Sequence, residues 1–117
     1  AAAEDHEDGL DDEWVISAPN LQARMERGEP IVLLDVREPH EYEINRIPGS
    51  RLLPLGQLAE RMHELSSVDE IVLHCKAGLR SAQALAILRQ AGFTRLKNLT
   101  GGIDAWAKEV DPTMPRY

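Results

Sequence analysis

The sequence predicts an α/β domain in which helices cover both faces of a parallel sheet. Predicted strands and helices alternate along the chain, without internal repeats or low-complexity tracts. Two apolar runs, at residues 31–36 and 71–73, show almost no alternation of apolar and polar residues. Strands that are buried on both faces have this pattern, and such strands belong to parallel sheets.

The first half of the chain pairs short strands with helices. An edge strand is predicted at residues 14–16. Ser17 followed by Pro19 predicts a helix start, because a capping hydroxyl precedes a residue whose φ is already helical. Gly28 stands where a helix C-terminal glycine belongs. Beyond the first buried run, the pattern predicts a short helix, a turn and a short strand, at 39–45, 47–49 and 51–53.

The second half repeats this alternation. Four apolar residues recur at spacings of three, four and three, which predicts one amphipathic helix: Leu55, Leu58, Met62 and Leu65. After the buried strand at 71–73, a helix is predicted at 80–91, followed by a short strand at 95–99. A last helix is predicted to begin at the glycine pair 101–102 and to run through Trp106.

The chain has the length and composition of one domain with an acidic leading segment. Its 117 residues allow one modest core. Residues 1–13 hold seven acidic side chains, so we predict an acidic flexible arm or linker there and the folded domain at 14–117. The longest apolar runs are about four residues, too short for a membrane span. The net charge of −7 argues against a nucleic-acid partner.

Cys75 is the only cysteine, so an internal disulfide is impossible. The acidic N-terminus lacks the basic flank and apolar centre of a signal peptide, and we therefore expect a cytoplasmic location. Any covalent adduct on Cys75 must be resolved by a group from another molecule. No metal is expected, because one cysteine and four scattered histidines show no ligand spacing.

The candidate site is the loop that follows the strand at 71–73. Cys75 stands at the carboxyl end of that strand, where open α/β sheets bind their ligands. The next helix directs its N-terminal dipole and free N–H groups at the sulfur, and Lys76 and Arg80 add positive charge. Gly78 lets the chain turn tightly, so that several amides can converge on one anion. Each effect favours the thiolate, which is the reactive form of the thiol.

Simpler interpretations of these residues stay open. Cys75 could be a small apolar core residue, and Arg80 could form an ordinary surface ion pair at a helix start. His74 should point to the opposite face of the sheet from Cys75, which favours packing over a role as catalytic base. Cys75 and Arg80 enclose four residues, one fewer than in loops of the tyrosine-phosphatase type. A shorter ring leaves room for one extra sulfur atom and is cramped for a phosphoryl group.

Three motifs resemble the rhodanese family of sulfurtransferases. The loop CKAGLRS at 75–81 resembles the active loop of single-domain rhodaneses. LDVREPHEYE at 34–43, followed by RIPGS at 46–50, looks like the family's N-proximal signature. NLTGGIDAW at 98–106 is similar to its C-terminal signature. The motifs fall in the family's order and extend over nearly the whole chain from Trp14 onward.

The resemblance implies a fold and a set of site residues. The sheet would have five mostly parallel strands, and Cys75 would carry a persulfide without any bound cofactor. Asp35 would lie beside the loop and pair with Arg80, and Arg37 would support the site from the same segment. Asp35 and Arg37 could instead be simple helix-cap and surface residues. The loop that binds the substrate or persulfide would consist of Lys76, Ala77, Gly78, Leu79, Arg80 and Ser81.

The reaction that the resemblance implies is a two-step sulfur transfer. Thiosulfate or a protein persulfide would give sulfane sulfur to Cys75, and an acceptor would then remove it. Residues 106–117 resemble a narrower group, the rhodanese domains at the end of ubiquitin-activating-like adenylyltransferases. There the acceptor would be the C-terminus of a ubiquitin-like sulfur carrier in molybdopterin or thiamin biosynthesis. The chain would then be a fragment of a larger adenylyltransferase, or be fused to one.

Two other functions stay open on the sequence. One is a small cysteine-dependent phosphatase or arsenate reductase on a related loop. The four-residue spacing counts against the phosphatase, and the absence of a second cysteine counts against the reductase. The other is a non-catalytic rhodanese-like interaction module, which usually lacks the cysteine that is present here.

Overall fold

The computed structural model describes residues 10–117, which form a five-stranded sheet flanked by helices. The strands are β1 (Val15–Ile16), β2 (Ile31–Asp35), β3 (Arg51–Leu52), β4 (Glu70–His74) and β5 (Leu96–Leu99). The helices are α1 (Ala18–Glu26), α2 (Pro39–Ile44), α3 (Leu58–Arg61), α4 (Leu79–Gln90) and α5 (Gly102–Glu109). The strand order is β1-β5-β4-β2-β3, and every pair is parallel. The predicted α/β fold with a five-stranded sheet is confirmed.

The sequence predicted most helix and strand boundaries to within two residues of those observed. The side chain of Ser17 caps α1, since its Oγ accepts a hydrogen bond from the backbone N–H of Asn20 (3.2 Å). The helix predicted across Leu55 to Leu65 is instead broken into a 3-10 turn, α3 and a second 3-10 turn. The apolar spacings alone did not predict the break, because spacings of three and four are those of a continuous α-helical stripe.

Apolar side chains fill two cores, one on each face of the sheet. Because successive residues of a strand point to opposite faces, Leu33 and Leu34 lie in different cores, and so do Val72 and Leu73. Helices α3 and α4 close the core that contains Leu34, Leu73 and Cys75. Helices α1 and α5 close the core that contains Leu33 and Val72. Both faces are therefore covered, as the two unbroken apolar runs predicted.

The strand order creates a crevice between β2 and β4. The chain leaves β2 toward β3 on one side, and it leaves β4 toward β5 on the other. Loops that diverge in this way leave room for a ligand at the carboxyl ends of the two strands. Asp35 and His74, the last residues of β2 and β4, are paired in register at that point. The segments after both strands consequently meet in one place.

The part of the predicted acidic arm that the structure describes lies against the domain. Residues 1–9 fall outside the described residues. Leu10 packs against the core, and Asp12–Trp14 forms a 3-10 turn. Lys97 of β5 donates a hydrogen bond from Nζ to the carbonyl oxygen of Glu13 (2.9 Å). Across residues 10–117, none of the helices has both the length and the apolar character needed to cross a bilayer.

The start of α5 approaches the backbone after β4 closely. The N–H of Ile103 donates to the carbonyl oxygen of Cys75 (2.9 Å), and that of Asp104 donates to the carbonyl oxygen of Lys76 (3.1 Å). Gly102 makes this contact possible: its φ is +60°, and a Cβ there would lie 2.4 Å from the Lys76 carbonyl oxygen. Neither that φ nor that distance suits a residue with a side chain.

We predict that Gly102→Ala lowers the free energy of unfolding by about 2 kcal/mol or more, because the added Cβ meets backbone atoms and the left-handed φ is strained. Gly56→Ala is the matched control, since a Cβ at that glycine meets nothing within 4 Å. That change should alter stability by less than about 0.5 kcal/mol. Urea denaturation of the two variants measures both values, and equal midpoints would contradict the close approach.

Candidate active site

Cys75 lies at the crevice between β2 and β4, immediately after the end of β4. The N–H of Val36 donates to the carbonyl oxygen of His74 (3.0 Å), which extends the pairing of the two strands by one step. The residues after β2 therefore lie beside those after β4. Cys75 itself belongs to the core under α4, and only 2% of its surface is exposed.

Two hydrogen-bond donors lie close to the sulfur. The N–H of Gly78 donates to Cys75 Sγ (3.1 Å), and Ser81 Oγ lies 3.4 Å from the same atom. Gly78 has φ +117°, and it is the residue that precedes α4. The left-handed backbone at this glycine turns its N–H back toward the cysteine. Within residues 10–117 the sulfur thus has one amide donor and one hydroxyl donor, whereas the sequence predicted several amide donors.

The loop is held from the side of β5 as well. Asn98 of β5 donates from Nδ2 to the carbonyl oxygen of Gly78 (3.1 Å). Ser81 Oγ is also 3.2 Å from that carbonyl oxygen, so its single proton can serve either the carbonyl or the sulfur. Together with the contacts from the start of α5, these bonds fix both ends of the turn that follows Cys75.

Arg80 is paired with Glu41, and the pairing predicted between Arg80 and Asp35 is wrong. The guanidinium of Arg80 donates from Nη1 and Nη2 to the two carboxylate oxygens of Glu41 (2.6 and 2.8 Å). These hydrogen bonds hold the pKa of Glu41 well below its usual value. They also raise the pKa of Arg80, to which the nearby charge of Cys75 adds a smaller contribution. The attraction between Arg80 and an anionic sulfur is mutual.

Asp35 is paired with Arg37 instead, in a fully buried arrangement. Arg37 Nη2 and Nε donate to Asp35 Oδ2 (2.7 and 3.1 Å), and both side chains have no exposed surface. Arg37 also donates from Nη1 to Asn45 Oδ1 (2.8 Å) and from Nη2 to the Asn45 carbonyl oxygen (2.9 Å). Arg37 is therefore an interior residue, so the alternative of a surface position is wrong for it.

His74 is packed in the interior, as its position in the strand favoured. Its ring is fully buried, and Nδ1 lies 3.2 Å from the carbonyl oxygen of Cys75. Its Nε2 lies 3.7 Å from Asp35 Oδ2. Burial lowers the pKa of His74, which favours the neutral ring.

Lys76 is tied to α5 and to the end of the described chain. Its Nζ donates to both carboxylate oxygens of Asp104 (3.0 Å each). The same ammonium group lies 4.6 Å from the centre of the Tyr117 ring, within the range of a cation–π contact. Both cations of the loop, Lys76 and Arg80, thus have carboxylate partners. The sequence predicted a carboxylate for Arg80, although a different one, and predicted none for Lys76.

Tyr117 joins the two sides of the crevice. Its hydroxyl donates to Glu41 Oε2 (2.5 Å) and accepts from Arg37 Nη1 (3.0 Å). Partial burial raises the pKa of Tyr117, and its hydrogen bond to Glu41 acts in the same direction. One signal could have pointed to Glu41: it stands three residues after Glu38, and the two form the capping box of α2. Asn98 and Asp104 lie in the motif at 98–106 and Tyr117 lies in the segment at 106–117, but these resemblances gave no indication of their contacts. Asn45 lies in none of the motifs.

Comparison with known proteins identifies what this arrangement is similar to. A family model described as the rhodanese-like domain matches residues 17–109. The chain is 39% identical over 104 residues to the probable adenylyltransferase/sulfurtransferase MoeZ of Mycobacterium tuberculosis, covering 87% of this chain and 26% of that protein. It is 39% identical over 97 residues to a protein of Allochromatium vinosum named sulfurtransferase, covering 83% of this chain and 91% of that protein.

A solved structure shows the same fold. The crystal structure of a rhodanese-related protein from Thermoplasma volcanium matches with a TM-score of 0.76 and 31% identity, covering 83% of this chain and 93% of the other. The relatives differ in how much surrounds the shared domain. The chain spans about a quarter of the length of the adenylyltransferase relatives it matches, but nearly all of the protein from Allochromatium vinosum.

We predict that the pair of Glu41 and Arg80 makes stability depend on acid pH. A carboxyl whose pKa is lowered by folding stabilises the fold fully above its unfolded pKa, near 4.5, and loses that contribution as the pH falls further. The stability difference between the unmodified chain and Glu41→Gln should therefore shrink below about pH 4.5. Denaturation at a series of pH values measures it. Glu43→Gln, at an exposed position of the same helix, is the control, and a pH-independent difference for Glu41→Gln would refute the assignment.

Proposed function

The chain belongs to the rhodanese-like domain family, and we propose that it transfers sulfane sulfur through a persulfide on Cys75. Its relatives include proteins named sulfurtransferases, which supports sulfur transfer in general. The observation that carries the finer proposal is the position of the Cys75 sulfur, at the end of β4 with the Gly78 amide donating to it (3.1 Å). A sulfur held in this way is prepared to bear negative charge.

The first proposed step loads the cysteine. The Cys75 thiolate attacks the outer sulfur of a donor, and thiosulfate serves as the simplest case. A new S–S bond forms between Cys75 and that sulfur, while the bond between the outer sulfur and the sulfonate breaks. The electron pair of the broken bond leaves with sulfite. The products are a persulfide anion on Cys75 and sulfite, with no net oxidation and no external reductant.

The loop supplies what this step needs. The negative charge moves from Sγ to the terminal sulfur, roughly 2 Å further out, the length of an S–S bond. The donors at Gly78 and Ser81 stabilise the charge before and after loading, and the nearby Arg80 contributes longer-range attraction. Because these donors are fixed by the backbone of α4 and by Asn98, they need little rearrangement during the reaction.

The second proposed step unloads the cysteine. A nucleophile such as cyanide takes the terminal sulfur as thiocyanate and returns the Cys75 thiolate. In the narrower proposal, the acceptor is the adenylated C-terminus of a ubiquitin-like sulfur carrier. The persulfide attacks the acyl carbon and AMP leaves, which gives an acyl disulfide on Cys75. Since residues 1–117 hold a single cysteine, a thiol from outside them must then attack Cys75 Sγ. That attack frees the thiocarboxylate and leaves a disulfide on Cys75, which a second thiol reduces.

The wider setting is proposed from the relatives. MoeZ is named as both an adenylyltransferase and a sulfurtransferase, so the similarity to it supports a role of this chain as one module of such a protein. Molybdopterin synthesis is the pathway that we propose on that basis. The cycle requires no bound cofactor, because the sulfur is carried covalently on Cys75. A cytoplasmic location stays a prediction.

We predict that incubation with thiosulfate adds one sulfur atom to the intact chain, seen as a mass increase in mass spectrometry. Cyanide should remove the added mass, and Cys75→Ala should never acquire it, because the sulfur is carried on that thiol. Thermal melting of Cys75→Ala confirms that the variant is folded. No mass gain from thiosulfate or from a protein persulfide, together with hydrolysis of an aryl phosphate, would refute the proposal in favour of a phosphatase.

We predict that Lys76→Met and Arg80→Gln each slow attack on thiosulfate by about tenfold, the lower end for loss of a charge-assisted hydrogen bond to an anion. Release of sulfur to cyanide should change less, because cyanide carries one charge and thiosulfate carries two. Stopped-flow or quenched mass spectrometry follows the two steps separately. Lys97→Met, toward the amino end of β5, is the matched control. Equal losses in both steps would exclude donor binding by these cations.

A further inference from the structure

The last residues of the chain lie beside residues 75–81, which we call the active loop. Met114 is buried in the core under α5, and Asn45 Nδ2 donates to the carbonyl oxygen of Pro115 (2.7 Å). Those two contacts direct Tyr117 to the crevice, where it meets Glu41 and Arg37 through its hydroxyl. We call residues 114–117 the tail segment.

Tyr117 contacts the partners of the active loop on both sides. Its hydroxyl binds the same carboxylate oxygen of Glu41 that accepts from Arg80. Its ring faces the ammonium group of Lys76 at 4.6 Å. Lys76 is adjacent to Cys75, and Arg80 completes the loop, so the ring and hydroxyl of Tyr117 together span the opening between the two cations.

The sulfur is closed off, but Tyr117 is not deeply buried. Cys75 is 2% exposed, whereas Tyr117 is 41% exposed. A contact that is half open to water and made by side chains alone opens more readily than one made by the backbone. Gly78 at the start of α4 and the start of α5 are instead anchored by their backbone. Tyr117 is thus a neighbour of the loop that can move away without breaking backbone hydrogen bonds.

We infer that Tyr117 sets the size of the molecules that reach Cys75. Because Cys75 is 2% exposed, every donor requires some displacement, and the displacement of the Tyr117 ring that is needed grows from a small anion to a bulky sulfur donor or a protein acceptor. The inference rests on the proposed function, since it concerns the sulfur donors and acceptors of that reaction. Tyr117 is a specificity-determining residue in this proposal, and it takes no part in bond making.

Thiol alkylation tests the inference without any sulfur transfer. We compare the rate at which Cys75 reacts with iodoacetamide, a small reagent, with the rate for a maleimide that carries a large polyethylene glycol chain. The ratio of the bulky to the small rate is the readout. Tyr117→Ala should raise that ratio by about tenfold, the lower end of the change expected when one hydrogen bond to a charged group no longer holds the closed state. Tyr117→Phe keeps the ring over Lys76 and should give an intermediate ratio.

Controls separate a gate from general loosening of the fold. Arg116→Ala changes an exposed neighbour in the same tail segment and should leave the ratio unchanged. Partial unfolding would instead move the ratio toward that of the urea-unfolded chain, and it would make both rates rise steeply with urea below the unfolding transition. Rates in Tyr117→Ala that do not depend on low urea therefore assign the change to the ring, and rates that rise steeply with urea would overturn the inference. Ratios within twofold of the unmodified chain in both Tyr117 variants would overturn the inference. Because alkylation needs no persulfide, that failure is distinct from a failure to load sulfur.

Discussion

The buried guanidinium of Arg37 constrains the whole carboxyl edge of the sheet. A charge with no exposed surface is stable only when it is paired and its N–H groups are hydrogen-bonded. Arg37 meets that requirement with groups from three segments: Asp35 at the end of β2, Asn45 after α2, and Tyr117 in the tail segment. Removing any one partner would leave part of the charge unsatisfied. The position of Arg37 therefore fixes how these three segments come together beside the loop of Cys75.

A second ion pair connects this constraint to the sulfur. Tyr117 accepts from Arg37 and donates to Glu41, and Glu41 in turn binds Arg80 of the active loop. Asp35 pairs with Arg37 and Glu41 pairs with Arg80, so the charge of each arginine is largely neutralised by a carboxylate. In the proposed reaction, the donors at Gly78 and Ser81 act on the anion at short range, and Lys76 and Arg80 act on the donor at longer range.

The sequence was sufficient for features that depend on neighbours along the chain. Ser17 caps α1 through a residue three positions away, and the unbroken apolar runs were enough to predict parallel strands covered on both faces. Partners far apart in the chain were not predictable in this way. Arg80 and Glu41 are 39 residues apart, and their pairing depends on how β2 and β4 lie side by side. The family resemblance correctly placed Asp35 at the carboxyl edge of the sheet but gave it the wrong partner. Arg37, two residues further along the chain, pairs with Asp35 instead.

The burial of Cys75 must be reconciled with the sulfur transfer that we propose for it. A thiol with 2% of its surface exposed cannot meet a donor unless some neighbour moves. The start of α5 is bound to the backbone carbonyl groups of Cys75 and Lys76, and Gly102 leaves no free space there, so that side is rigid. The sheet and α4 are held by their own backbone hydrogen bonds. The opening is therefore expected on a side that is held by side-chain contacts, and half-exposed Tyr117, which meets Glu41 and Arg37 through its hydroxyl, forms such a side. Neighbours that are held by backbone hydrogen bonds protect the sulfur, and a neighbour that is held by side-chain contacts can open to admit a donor.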